Sequence, residues 1–147
     1  MSIRVLLADD HKLFREGLRS LIEEQPNMTV VAEAEDGATA LQLAQTELPD
    51  VVVMDISMPG MNGIEAARKI IFTAHGVKVL ALSMHNDIRF VAEMINSGAS
   101  GYVLKDCVVD ELIHAIHVVA DQGTYLSPKI IIPADDQRTI AGRCTMR

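Results

Sequence analysis

At 147 residues, with 49% hydrophobic and only 3% aromatic side chains, the chain has room for one domain with a substantial core and little more. A formal charge of -7 argues against a nucleic-acid-binding surface of the usual basic kind in this chain. The two cysteines, Cys107 and Cys144, are too few for a disulfide framework, and the early acids Asp9 and Asp10 leave no space for a signal peptide or membrane span, so a cytoplasmic protein away from membranes is expected.

In chain order, Ile3 to Ala8 is an apolar run that ends in the acid pair Asp9-Asp10. From His11 to Gln25, Phe14, Leu18, Leu21 and Ile22 fall on one helical stripe, which Pro26-Asn27 stops. Thr29 to Glu35 is valine-rich and reads as a strand. Asp36-Gly37 then opens a helix with Leu41, Ala44 and Leu48 on its buried side, ended by Pro49-Asp50. Val51 to Met54, three of these four residues β-branched, run straight into Asp55. This segment is too apolar for an edge strand and too short for a helix, and so predicts a central parallel strand covered on both faces.

After breaks at Pro59-Gly60 and Asn62-Gly63, Asn62 and Glu65 form a helix-start pattern for Gly63 to Thr73, with Ile64, Ala67, Ile70 and Ile71 inward. Val77 to Ser83 is a further strand. Asp87 is placed to cap a helix carrying Val91, Met94 and Ile95 that ends at Gly98. Gly101 to Leu104 is a short strand delivering Lys105, and a last helix, apolar at Leu112, Ile113, Ile116 and Val119, runs to about Gly123. Five strands alternating with five helices predict an α/β fold: a parallel sheet with right-handed crossovers and helices on both faces.

In such a sheet all strand carboxyl ends share one edge, where ligands bind. That edge collects Asp9, Asp10, Asp55, Ser83 and Lys105, each following an apolar strand. Any one of them alone reads as a loop residue near a strand end; the set reads as a site. Converging carboxylates repel one another unless a cation neutralises them, and Mg²⁺ is the natural hard partner. With an aspartate oxygen as nucleophile, the metal and Lys105 would neutralise the oxygens of a phosphoryl group, and Ser83 would donate to one more.

The Asp9-Asp10 pair, MDISMPGMNG around Asp55, ALSMH around Ser83 and GASGYVLKD around Lys105 resemble, in order and spacing, the receiver domain of bacterial two-component response regulators over residues 3 to 127. ADDH near the start and GTYLSP near the end resemble more narrowly the NarL/FixJ class, whose receivers usually precede a LuxR-type DNA-binding domain. The resemblance implies a flavodoxin-like strand order 2-1-3-4-5. It also implies that Asp55 accepts a phosphoryl group from a sensor histidine kinase, and that Asp10, Asp55 and the Ser57 backbone carbonyl hold Mg²⁺, with Asp9 acting through water. Ser83 and Lys105 would contact the phosphoryl oxygens, and Tyr102 would pack inward on activation. Catalysis would be limited to self-phosphotransfer and slow autodephosphorylation, with homodimerisation as a possible response to phosphorylation.

Two departures and several lone residues stand beside this reading. Val108 and Val109 occupy positions where the family favours Ser or Thr followed by Pro, although Asp110 and Glu111 still suit a helix amino end. His114 and His117, one turn apart, lack the carboxylate or cysteine that would complete a metal set, and His85 is expected to flank the phosphorylation site. The expected organisation is a receiver over 1–127 and a linker or tail over 128–147, with no DNA-binding domain in this chain and hence no nucleic-acid binding of its own. The alternatives are a stand-alone receiver acting through protein contacts and a Mg²⁺-dependent phosphohydrolase; against the latter, Ser57 stands where a DxD motif would place its second acid.

Overall fold

The computed structural model describes residues 2–58, 63–84, 88–106 and 109–127. Its elements are β1 (Ile3–Ala8), α1 (Lys12–Glu23), β2 (Met28–Ala34), α2 (Gly37–Glu47), β3 (Val51–Asp55), α3 (Gly63–Thr73), β4 (Lys78–Ser83), α4 (Ile88–Asn96), β5 (Gly101–Leu104), α5 (Val109–Ala120) and β6 (Tyr125–Leu126). The sheet runs β2-β1-β3-β4-β5-β6, and every pairing is parallel. This is the doubly wound, flavodoxin-like order that the family resemblance implies, lengthened by one strand.

The pleat explains why β1 from Val5 to Ala8 and β3 from Val51 to Met54 are apolar at every position. Val5, Leu7, Val51 and Val53 pack on one face with Leu18 and Ile22 of α1 and Leu112, Ile116 and Val119 of α5. Leu6, Ala8, Val52 and Met54 pack on the other with Ala40 and Ala44 of α2, Ala67 and Ile70 of α3, and Val91 and Met94 of α4. The α2 amino end is capped as expected, Asp36 Oδ1 accepting from the Thr39 amide at 2.7 Å.

Three expectations are corrected. Leu48 is not on the buried stripe of α2: it is the C-cap residue, left-handed at φ 48°, and 53% exposed. The Arg4 guanidinium bonds the carbonyls of Glu47 and Leu48 there, satisfying the helix end from outside. The last helix stops at Ala120, where left-handed Gln122 (φ 68°) turns the chain and the Gly123 amide closes on the Val118 carbonyl at 2.9 Å. The sixth strand, absent from the five-strand expectation, is only two residues long; it is held by the Ser127 amide on the Tyr102 carbonyl and by Tyr125 Oη on Glu111. The expectations placed on Pro59-Gly60, Asn62, His85, Asp87, Cys107, Val108 and 128–147 lie outside the described residues.

Gly63 shows how tightly α3 abuts the end of β3. A Cβ there would lie 2.3 Å from the Ile56 Cα and 2.9 Å from the Asp55 carbonyl oxygen, both of them backbone. In an open helix Gly→Ala stabilises by about 1 kcal/mol. Gly63→Ala should instead destabilise by about 2 kcal/mol or more in urea unfolding, because backbone must move; a stabilised variant would show that the close approach is not a constraint.

Candidate functional site

The site lies at the carboxyl edge of the sheet, where β1, β3, β4 and β5 deliver Asp9, Asp55, Ser83 and Lys105 in turn. Parallel register sets their spacing: Asp55 pairs with Leu82, Ser83 pairs with Leu104, and the Lys105 amide donates to the Ser83 carbonyl at 2.7 Å. Asp9 and Asp55 are both nearly sealed from solvent, at 2% and 1% exposure. Two such carboxylates would repel each other strongly without a counter-charge.

Lys105 is that counter-charge. Its Nζ lies 2.9 Å from Asp9 Oδ2 and 3.2 Å from Asp55 Oδ2, and sits 4.6 Å above the Phe14 ring. Burial acts to lower the pKa of the ammonium, but the contact with Asp9 and the charge of Asp55 outweigh it, and the net shift is upward. Lys105 is therefore a fixed cation at neutral pH. The other Asp55 oxygen, Oδ1, accepts the Ser57 amide at 2.9 Å, so each Asp55 oxygen has one donor.

The expected residues come together as follows. Asp9, Asp10 and Asp55 converge, Asp10 on the exposed side, with ligand atoms within 4.8 Å of one another. Ser83 is fully buried at the end of the neighbouring strand. Ser57 is exposed at the mouth, in contact with Asp55 through its amide. Tyr102 is fully buried in the core shared with α2, α3 and α4, and so already inward. The hard oxygen donors fit a divalent cation, and the buried Asp9 Oδ2, ion-paired with Lys105 but without a directed hydrogen bond, shows incomplete satisfaction at the same point.

Two residues belong to the site that sequence reading treated as plain helix. His11 turns its Nδ1 to within 3.1 Å of Asp9 Oδ1 and 3.3 Å of Asp10 Oδ1. Arg15 donates from Nη1 to the Asp9 carbonyl at 2.6 Å and from Nε to Glu33 Oε1 at 2.8 Å. Asp9 is thus clamped from both sides, since its amide bonds the Ala34 carbonyl of β2. The signal for His11 was its adjacency in ADDH; for Arg15 there was none, because its acceptors are a carbonyl and a residue of another strand. Among the described residues, His114 and His117 join no metal-binding set, and His114 packs edge-on against Tyr125, ring centres 5.6 Å apart.

Glu33 is the far end of this clamp, paired with Arg15 and Arg19. Its burial acts to raise its pKa, yet the two guanidiniums more than reverse this and hold it below the ordinary glutamate value. The charged pairing therefore stabilises the fold above the unfolded-state pKa of about 4.3 and is lost as pH falls through the lower folded value. Glu33→Gln should be less stable than wild type at pH 7, and the gap should close as urea titrations are repeated from pH 5 towards pH 3; a gap independent of pH would contradict this assignment.

Residues 5–117 match the sequence profile of the response regulator receiver domain. The chain is similar to the transcriptional regulatory protein DegU of Brevibacillus brevis, 46% identical over 128 residues, which cover 87% of this chain and 54% of that protein. It thus spans about half the length of that curated relative. Among solved structures it resembles a LuxR-family two-component response regulator from Aurantimonas sp. SI85-9A1 (39% identity, TM-score 0.84, 97% of each chain). It also resembles the signal receiver domain of the putative response regulator NarL from Mycobacterium tuberculosis (38% identity, TM-score 0.79, 82% of this chain and 97% of that one).

Proposed function

The chain belongs to the response regulator receiver domain family, in its NarL/FixJ class, and on that premise we propose that residues 1–127 form the receiver unit and that Asp55 accepts a phosphoryl group from a sensor histidine kinase in the cytoplasm. The observation that carries this reading is the bridge from Lys105 to both Asp9 and Asp55 at the carboxyl edge of the sheet. Among the described residues no helix is long and apolar enough to cross a membrane.

In the reaction an Asp55 carboxylate oxygen forms a bond to phosphorus while the P–N bond of the kinase phosphohistidine breaks, and the imidazole leaves with the electron pair. Lys105, already a cation beside Asp55 Oδ2, neutralises charge on the transferring oxygens. The Ser57 amide holds the carboxylate in place, and the Ser83 hydroxyl, one strand away, donates to the phosphoryl product. Asp10, Asp55 and the Ser57 carbonyl would hold Mg²⁺, with Asp9 acting through water. When bound, that ion supplies positive charge at the oxygens of the group in flight.

Phosphorylation then works as a two-state bias. Drawing Ser83 towards the phosphoryl group favours the inward Tyr102 seen here, and the surface formed by α4, β5 and α5 changes with it, promoting homodimerisation. The output is transcriptional control through a LuxR-type DNA-binding domain outside this chain, as the regulator names of its relatives suggest.

Acetyl phosphate with Mg²⁺ should label the protein once, slowly, at Asp55, and Asp55→Asn should abolish the hydroxylamine-labile label while keeping the fold. Undiminished label in that variant, or sustained turnover of phosphate esters by the wild type, would refute the reading. Asp10→Ala should weaken Mg²⁺ binding in calorimetry more than Asp9→Ala, because Asp9 Oδ2 is already engaged by Lys105 whereas Asp10 is exposed. Equal losses would show that the two acids do not divide their roles.

A further inference from the structure

The carboxylates at the sheet edge share their space with an imidazole that phosphoryl transfer to Asp55 does not require. His11 is the N-cap residue of α1, yet its side chain makes no capping hydrogen bond. Its ring is turned the other way, with Nδ1 3.1 Å from Asp9 Oδ1 and 3.3 Å from Asp10 Oδ1. The contact with Asp9 Oδ1 is a hydrogen bond; in an octahedral site with metal–ligand bonds of about 2.1 Å, adjacent donor atoms are about 3.0 Å apart, so the separation from Asp10 Oδ1 suits two ligands of a single ion. Asp9, 2% exposed, has its Oδ2 ion-paired with Lys105 Nζ at 2.9 Å in the same cluster. Lys105 Nζ also lies near, 3.3 Å from His11 Nδ1, and opposes a dication from its own side.

We propose that His11 supplies a nitrogen ligand to the metal position formed by Asp10, Asp55 and the Ser57 carbonyl, and so sets its preference towards first-row transition dications such as Mn²⁺ and Co²⁺. The inference rests on the metal-assisted reading above and deepens it. Mg²⁺ is a hard ion that keeps oxygen ligands and several waters, and gains little from an imidazole. Transition dications bind imidazole well, with affinity rising from Mn²⁺ to Co²⁺. His11 therefore separates the two classes of ion without adding charge to the site. At 65% side-chain exposure it can be replaced with little effect on packing.

The test is made on the whole chain. Pulsed EPR of the Mn²⁺-loaded protein reports a directly bonded nitrogen as a hyperfine coupling, expected in wild type and absent in His11→Gln with Mn²⁺ still bound. By calorimetry, His11→Gln should weaken Co²⁺ binding about tenfold or more, while Mg²⁺ binding changes by no more than about twofold. Asp10→Ala, measured alongside, identifies the ion position by losing Mn²⁺. Mn²⁺ that is lost in Asp10→Ala but shows no nitrogen coupling in wild type, or a coupling that persists in His11→Gln, overturns the inference and leaves the metal site standing. Failure of wild type to bind Mn²⁺, or equal binding in Asp10→Ala, overturns the metal site and the inference with it.

Discussion

Two buried aspartates held by one buried lysine are the constraint around which this domain is arranged. Asp9 and Asp55 come from strands that pair side by side through β1 and β3, and nothing in the backbone keeps their charges apart. Lys105 arrives from β5, on the far side of β4, and the Lys105 amide bond to the Ser83 carbonyl fixes where its side chain begins. Removing the cation would leave two nearly buried carboxylates uncompensated, which is far costlier than the net value of the pairs themselves. Three carboxylates against one ammonium leave net negative charge at this edge, which favours an incoming dication.

Around this centre the fold supplies stiffness at specific atoms. Arg15 grips the Asp9 carbonyl and is itself anchored on Glu33, so the first acid is positioned by a helix and a strand together. Gly63 lets α3 begin against the backbone of Asp55 and Ile56, so the end of β3 is backed by a helix with no intervening side chain. The polar edge thus stands on elements whose own packing is apolar and complete.

Much of this was legible in the sequence, and the reasons differ by residue. The strand ends could be read because each apolar run stops at a polar residue, and the parallel alternation then brings those residues to one edge. The distribution of the two cores followed from the pleat of Val5 to Ala8 and Val51 to Met54. Leu48 misled because hydrophobicity says nothing of backbone handedness: a left-handed C-cap turns the side chain off the stripe that spacing assigns it. The strand β6 was hidden because two residues carry no periodicity, and their pairing is decided by Tyr125 meeting α5. Arg15 was hidden because its acceptors are a carbonyl and a residue of another strand, which helical spacing cannot reveal, whereas His11 carried a signal in its adjacency to Asp9 and Asp10.

That short last strand also sets where the chain leaves the sheet. β6 runs parallel to β5, with Tyr125 beside Gly101 and Leu126 beside Tyr102, and the Ser127 amide is bonded to the Tyr102 carbonyl. The outgoing polypeptide is therefore laced to the same backbone that carries the buried tyrosine and, three residues on, the lysine of the site. Any displacement of β5 at Gly101 or Tyr102 therefore bears directly on Tyr125 to Ser127, whose backbone is bonded to it, in the manner of a hinge plate rather than a tether.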